Sequence, residues 1–302
     1  MLKAVLTGVA TVGLFALAPV FYANQTLLFS AMMYLVLAQG INVLYGFTGY
    51  LPFGYVGFFG AGAYAGALSV LRLGLSPVLA LVVGGVVAVL VGVVLVPLLR
   101  LSGAYFAIAN LAAAQALYYV VSNPDLQALT NGPYGINLAV AYNATASYAA
   151  MVALLGLALA TVVYLRHSRL GLALRAIRED RISAELAGIN VVRERTIAWL
   201  LSALLAGLCG AAFAWYISVF YPETVFSLNV SIFAIVFALF GGAATLAGPI
   251  VGTLVLYGLY SAIGISQPEY FQLIFGLVIV GLVLFLPDGL ASLSERAGFE
   301  VP

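Results

Sequence analysis

The sequence predicts an all-α, polytopic transmembrane helical bundle of about eight to ten spans, some of them broken. Three observations carry that reading. First, of 302 residues 65% are hydrophobic and 7% charged, with a mean hydropathy of +1.16, which leaves too little polar surface for a water-soluble globule. Second, the apolar residues fall into segments near the roughly 20 residues a helix needs to cross a bilayer. Third, the cations are clustered between those segments. The net charge is +1, from 11 Lys plus Arg against 10 Asp plus Glu. Such a balance offers no basic field for phosphates, so nucleic acid is not an expected partner.

Ten spans can be drawn in order: Ala4 to Tyr22, Leu27 to Tyr45, Phe53 to Leu71, Pro77 to Leu99, Tyr105 to Val121, Tyr148 to Leu165, Ile197 to Val219, Val230 to Phe240, Leu246 to Ile263 and Phe271 to Leu286. The first follows Lys3 in the manner of a signal peptide. It is nearly long enough to span, and Phe21 is too bulky for a cleavage site at Phe21 to Ala23, so we read it as a retained span. The eighth is too short to cross as a straight helix and reads as a half-helix broken at Gly241 and Gly242, so eight or nine spans are equally consistent. A second glycine break lies at Gly46, Gly49 and Gly54, and Gly248 extends the first. The two breaks follow different spans of their halves, which establishes no internal repeat. Gly62 with Gly66, and Gly248 with Gly252, are four apart, so each pair leaves one helix face bare for a neighbour.

Orientation follows from the arginines. Seven of the eleven cations, Arg166, Arg169, Arg175, Arg178, Arg181, Arg193 and Arg195, lie in one connection, which the positive-inside rule places in the cytoplasm. Counting outward puts Lys3, Arg100, Arg296 and both termini on the same side and the Ser122 to Ser147 loop outside. Arg72 alone falls on the wrong side. The whole chain, 1–302, reads as one membrane domain, with 166–196 as its cytoplasmic connection.

The ten drawn spans contain no Asp, Glu, Lys, Arg or His. Intramembrane ionisable groups usually mark proton relays or ion sites, so their lack disfavours a proton-coupled carrier. It equally disfavours an intramembrane enzyme, and no catalytic residue is expected. His167 and Cys209 are each single, which suits an interfacial histidine and a packed thiol better than a metal site; none is expected. A sodium-coupled carrier survives, since broken helices can hold the ion through carbonyls. There is no Gly-x-x-x-x-Gly-Lys-Ser/Thr loop for a nucleotide.

The basic connection is the place for a partner to grip. Leu172 to Ala187 reads as one helix with Arg175/Glu179 and Arg181/Glu185 as i,i+4 pairs. Gly188 stops it and Asn190 caps the next. A plain solvated surface helix explains the same residues.

Glu179-Asp-Arg-Ile-Ser-Ala-Glu-Leu-Ala-Gly-Ile-Asn190 resembles the cytoplasmic coupling segment of the branched-chain amino acid ABC-importer permease family, in its LivM-like branch. Further likenesses in family order are Asn42 to Gly49 with Gly54 and Phe58 to Tyr64, Arg100 to Ile108, Thr130 to Ile136, Gly241 to Pro249, and Leu286-Pro-Asp-Gly-Leu290. Together they run from about Ala31 to Leu290. The resemblance implies an importer permease fold in a bacterial or archaeal inner membrane. It implies a second permease subunit, two ATP-binding-cassette ATPases that hold the ATP and magnesium, and a soluble binding protein. It places coupling on Glu179, Asp180, Ser183, Ala184, Glu185, Gly188, Ile189 and Asn190. Relatives usually carry Gln, then Ser, then His or Gln where this chain has Tyr50, Pro52 and Tyr55, which puts the usual substrate class in question. Amino acids are the first expected cargo, with urea, amides and sugars as alternatives. A channel or sodium-coupled carrier acting alone is the rival reading. For the pathway the expected linings are Gln39, Asn42, Thr48, Asn110, Gln115 and Thr245, each of which also suits an interhelical hydrogen bond.

Overall fold

The computed structural model describes residues 2–266 together with Leu273, Gly276, Leu277, Val280 and Gly281. Apart from those isolated positions, the span expected at Phe271 to Leu286 lies outside the described residues, as do the Leu286 to Leu290 motif and Arg296. The elements run α1 (Leu2–Phe21), α2 (Gln25–Ile41) continued by a π turn (Asn42–Gly46), α3 (Val56–Leu73), α4 (Pro77–Val94) and α5 (Gly103–Val121). A short α6 (Gln127–Thr130) and strand β1 (Ile136–Asn137) precede α7 (Ala144–His167), α8 (Arg169–Glu179), α9 (Arg181–Leu186) and α10 (Val191–Ile217). Strand β2 (Val219–Phe220), a one-turn α11 (Pro222–Val225), α12 (Leu228–Gly241) and α13 (Ala247–Ser266) follow. Among the described residues, eight helices are long and apolar enough to cross a membrane, and α13 carries a shorter apolar stretch, Ala247–Ala262. The chain is a multi-pass membrane protein of all-α class.

Local chemistry sets the boundaries. Ser76 and Asn143 open α4 and α7 by accepting the amides of Leu79 and Ala146 at 3.5 and 3.0 Å, satisfying donors a helix start leaves orphaned. Pro77 follows Ser76 at the first helical position, where its missing N–H costs nothing. Gly74, at φ +63°, closes α3.

The core is a seam of α3, α4 and α10. A Cβ placed on Gly62 would overlap the backbone of Gly207, and one on Gly84 would stand 2.7 Å from both Ala211 Cβ and the Gly62 carbonyl. Three backbones therefore touch where the side chains are hydrogen atoms, which is how helices associate when lipid supplies no hydrophobic drive. The same contacts fix direction. Gly62 and Gly66 meet 207 and 211 in order, so α3 runs parallel to α10, whereas Gly84 and Gly92 meet 207 and then 199–203, so α4 runs against them. Trp199 seals the seam's inner end, donating its indole N–H to the Gly92 carbonyl at 2.9 Å with Phe58 and Phe106 edge-on to its ring. The fully buried Cys209 thiol lies 3.7 Å from the Met33 carbonyl on α2.

At one end of the bundle the connections are cationic. Arg195 reaches the Leu99 carbonyl and Arg178 the Gly46 carbonyl, so the 166–195 connection, the α2–α3 break and the end of α4 share that end. The pairings of Gly8 with Leu159 and of the Phe15 carbonyl with the Tyr148 hydroxyl (2.8 Å) run α1 against α7 and bring Lys3 there too. Arg72 sits at the opposite end. So does the loop after α5, which β1 ties to β2 through Ile136 with Phe220 and Asn137 with Val219. Thr130 to Ile136 is a turn there: Asn131, at φ +69°, donates its side-chain amide to the Gly135 carbonyl at 2.7 Å.

Two expectations are corrected. Leu172 to Ala187 is not one helix: α8 ends at Glu179 and α9 starts at Arg181, because the Asp180 side chain leaves the helical path to accept the Ser183 amide at 2.5 Å. The drawn spans also stop short of the charges that the helices include. Arg166 and His167 end α7, Arg72 ends α3, and α10 begins at Val191 and so carries Arg193, Glu194 and Arg195. Arg195 is buried, at 4% exposure.

Candidate functional site

Two helices end inside the bundle, and the side chains there join one broken end to the other. After α2 and its π turn, Gly49 takes φ +77° and the chain runs irregularly to Val56. After α12, Gly241 is the last helical residue, Gly242 takes φ +108° and Ala244 φ +70°, and Ala247 restarts the helix. Such breaks expose backbone donors and acceptors inside the protein, where each unsatisfied buried group costs about 1–3 kcal/mol. Asn42 answers for most of them. Its Oδ1 accepts the Ala244 amide at 2.7 Å, and its Nδ2 donates to the Thr245 carbonyl at 2.8 Å and to Gln39 Oε1 at 3.2 Å. Gln39 in turn donates to the Leu246 carbonyl at 2.9 Å. Thr245 folds back within its own turn, donating to the Gly242 carbonyl and accepting the Gly248 amide, both at 2.9 Å.

The first break has its own props. Asn110 on α5 accepts the Gly54 amide at 2.7 Å, and Ser231 on α12 accepts that of Val56 at 2.7 Å. Thr48 donates to the Leu44 carbonyl at 2.6 Å. Gln115 lies half-buried on α5, just over a turn beyond Asn110. The structure thus brings Gln39, Asn42 and Thr245 together and places Thr48 and Asn110 on the first break, all five bonded to backbone.

Sequence reasoning assigned no contact to four members of this site: Arg178 and Arg195 were read as topology, and Tyr50 and Tyr55 only as departures from the resembled pattern. Arg178 on α8 donates to the Gly46 carbonyl at 2.6 Å. Arg195 donates to the Tyr50 hydroxyl at 2.6 Å, with its guanidinium 4.2 Å above the same ring, and Tyr55 donates to the Ser202 carbonyl at 2.8 Å. Tyr50 and Tyr55, noted above as departures from the resembled pattern, tie the break to α10. The signal for the arginines was present but read only as topology.

The basic connection forms a platform at the same end. Ser168 caps α8 by accepting the Gly171 amide at 3.1 Å, and Gly171 has no room for a Cβ against the Leu165 backbone, which folds α8 tightly onto α7. Leu174 and Ile177 face inward. On α9, Ala184 is buried at 3%, whereas Ile182 and Leu186 are 69% and 84% exposed. Arg181 and Glu185 pair at 3.1 Å across the outer face, the one ion pair among the described residues. Arg175 turns instead to the carbonyls of Gly171 and Arg166, at 3.3 and 3.1 Å. The Asp180 carboxyl is held below its ordinary range by the Ser183 amide and hydroxyl. Gly188, at φ +84°, ends α9, and the following Ile189 amide bonds back to the Ala184 carbonyl at 3.0 Å. Asn190 accepts the Arg193 amide at 3.1 Å and opens α10. Among the described residues no group of three His, Cys, Asp or Glu side chains stands close enough to hold a metal.

Residues 24–283 match the family model described as branched-chain amino acid transport system, permease component. The chain belongs to that family. The permease is 29% identical to the high-affinity branched-chain amino acid transport system permease protein LivM of Escherichia coli, over 87% of this chain and 69% of that protein. It is 28% identical to LivH of the same organism over 45% of this chain and 44% of LivH. A probable LivH of Methanocaldococcus jannaschii is likewise 28% identical, over 43% and 42%. No solved structure matches this permease. Its role is therefore transport as one component of a larger system.

Proposed function

We propose that this permease is the membrane subunit of an ATP-driven importer for branched-chain or related amino acids, worked by ATPases that grip α9. One observation carries the proposal: α9 presents Ile182 and Leu186 outward over a buried Ala184, and the adjoining α8 is bonded through Arg178 to the broken end of α2. An exposed isoleucine and leucine on a cytoplasmic helix, flanked by Glu179, Asp180 and Glu185, suit an apolar groove with basic rims. Movement of that helix reaches Gly46 through Arg178, and then α12 through Asn42. The two global states an importer needs are then two settings of one clamp.

In this reading 1–302 is a single permease domain, 166–196 is its motor-facing connection, and both termini lie in the cytoplasm of a bacterial or archaeal cell. The remaining subunits are a second permease, suggested by the partial likeness to LivH, two ATPases binding ATP and magnesium, and a soluble receptor. Thr48 and Gln115 stay assigned to the pathway, beside a clamp formed by Gln39, Asn42 and Thr245.

The test is ATP-dependent uptake of radiolabelled leucine by the assembled transporter in proteoliposomes. Leu186→Glu and Glu185→Arg should fold normally, release the ATPases on purification and abolish uptake, and Gly188→Leu should do the same through strain at φ +84°. Uptake at the original rate in all three, or accumulation by this chain alone without nucleotide, refutes the assignment.

A further inference from the structure

Above the clamp, at the end of the bundle opposite the cationic connection, α2, α11, α12 and α13 line a half-open cavity of about 820 Å³. That is within the size range of small-molecule sites. Its wall is aromatic: Tyr34 stands edge-on to Phe233 at 6.0 Å and 5.5 Å from Tyr257, and Tyr257 stacks on Tyr260 at 5.7 Å. Its rim is polar, with Glu223, Thr224, Ser227 and Asn229. Among the described residues that line the cavity, Glu223 is the single charged side chain. A free anion would meet an uncompensated carboxylate there. A cation would meet both the carboxylate and the negative faces of the rings.

The position adds a direction. Tyr34 is five residues before Gln39 on α2, about 7.5 Å along the axis, and Phe237, edge-on to Tyr34 at 5.5 Å, is four residues before Gly241 on α12. The cavity thus lies just over a turn from the Gln39–Asn42–Thr245 clamp along the same two helices. A molecule seated in the cavity lies against the helix whose broken end the clamp holds.

We infer that this pocket receives the α-ammonium group of an amino acid on Glu223 and lays its apolar side chain on the aromatic wall, the hydroxyls and amide of Thr224, Ser227 and Asn229 donating to the α-carboxylate. The inference rests on the importer reading in taking amino acids as cargo. It goes beyond that reading in naming the group that selects them.

Binding of radiolabelled L-leucine to the purified full-length permease in nanodiscs tests it without receptor or ATPase present. Unlabelled 3-methylbutylamine, which keeps the ammonium, should displace the leucine, and 4-methylpentanoate, which lacks it, should not. Glu223→Gln should weaken leucine binding at least tenfold and Glu223→Asp should recover part of the loss. Glu223 is exposed on a one-turn helix, so both variants should elute and melt as the parent does. Absence of leucine binding by the parent protein, indifference to Glu223→Gln, or equal displacement by the amine and the acid would each overturn the pocket. ATP-dependent uptake by the assembled transporter is read separately. Uptake with a failed pocket sinks the pocket alone, and leucine binding without ATP-dependent uptake sinks the importer reading alone.

Discussion

The seam of α3, α4 and α10 and the region of α2, α12 and α13 solve the same problem in opposite ways. In the seam, regular helices satisfy their own backbone, so the contact can be dry and made of glycine and alanine. In the other region two helices stop inside the bundle, and side chains from α2 must satisfy the backbone of the α12–α13 turn. Atoms in the seam have one packing arrangement, because close backbone contact cannot be reset without separating helices. The clamp is a small set of hydrogen bonds that can be exchanged. Composition thereby distinguishes a fixed scaffold from the part we propose to move, and the contrast can be broken experimentally.

The largest effect is expected in the seam. Gly207→Leu drives a side chain into Ala88 and the Gly84 backbone, and should cost about 3 kcal/mol or more, read as loss of monodisperse protein. Gly13, beside which there is open space, should accept alanine with an unchanged or slightly raised melting temperature. Next comes the clamp: Asn42→Leu strands the Ala244 amide and the Thr245 carbonyl and should cost about 1–3 kcal/mol, with uptake falling further than the melting shift explains. Were Asn42→Leu to disturb stability as much as Gly207→Leu, the two regions would not differ as argued.

Arg178→Ala removes one hydrogen bond at the edge of the platform. It should change stability by under about 1 kcal/mol yet leave ATP hydrolysis running while uptake falls several-fold, measured on the same proteoliposomes. The smallest effect concerns Asp180. Since its folded pKa is depressed, its cap on α9 is fully present above the pKa of the unfolded chain and lost as pH falls through the folded value. Hydrogen exchange at the Ser183 amide should accelerate at that acid end, and Asp180→Asn should make the protection independent of pH. Protection that instead fades as pH rises would contradict the capping geometry.

Much of the fold could be read from the residues because bilayer thickness translates directly into segment length. Drawn spans and helices agree to within a few residues for α3 to α5 and α13. The start of α10 was misplaced because Arg193 and Arg195 look like loop charges, although Arg195 finds Tyr50 and the Leu99 carbonyl inside the protein. Asp180 was read into a continuous helix, yet Asp-Arg-Ile-Ser is a helix-start pattern, and the capping bond to Ser183 prevailed. The candidate polar residues were read as pathway linings or interhelical hydrogen bonds, and their backbone partners were not identified. A sequence cannot tell an amide that lines a void from one that covers a carbonyl, since both need the same side chain at the same depth. Glu223 escaped notice for a related reason: it lies between apolar segments, and only the folded chain sets it beside rings from α2 and α13.

The two-residue strand pair at the far end carries a mechanical consequence. Ile136 and Asn137 are bonded to Val219 and Phe220, and Trp215 and Ser218 hold the same loop through the Ala141 carbonyl and the Leu138 amide. These anchors sit on one tip of α10, whose 27 residues span about 40 Å; the opposite tip begins at Asn190, directly after α9. The loop at one end of the bundle and the basic platform at the other are thus mounted on a single stiff rod through the middle of the protein, so a tilt imposed at either end is felt at the other without any relay of side chains between them.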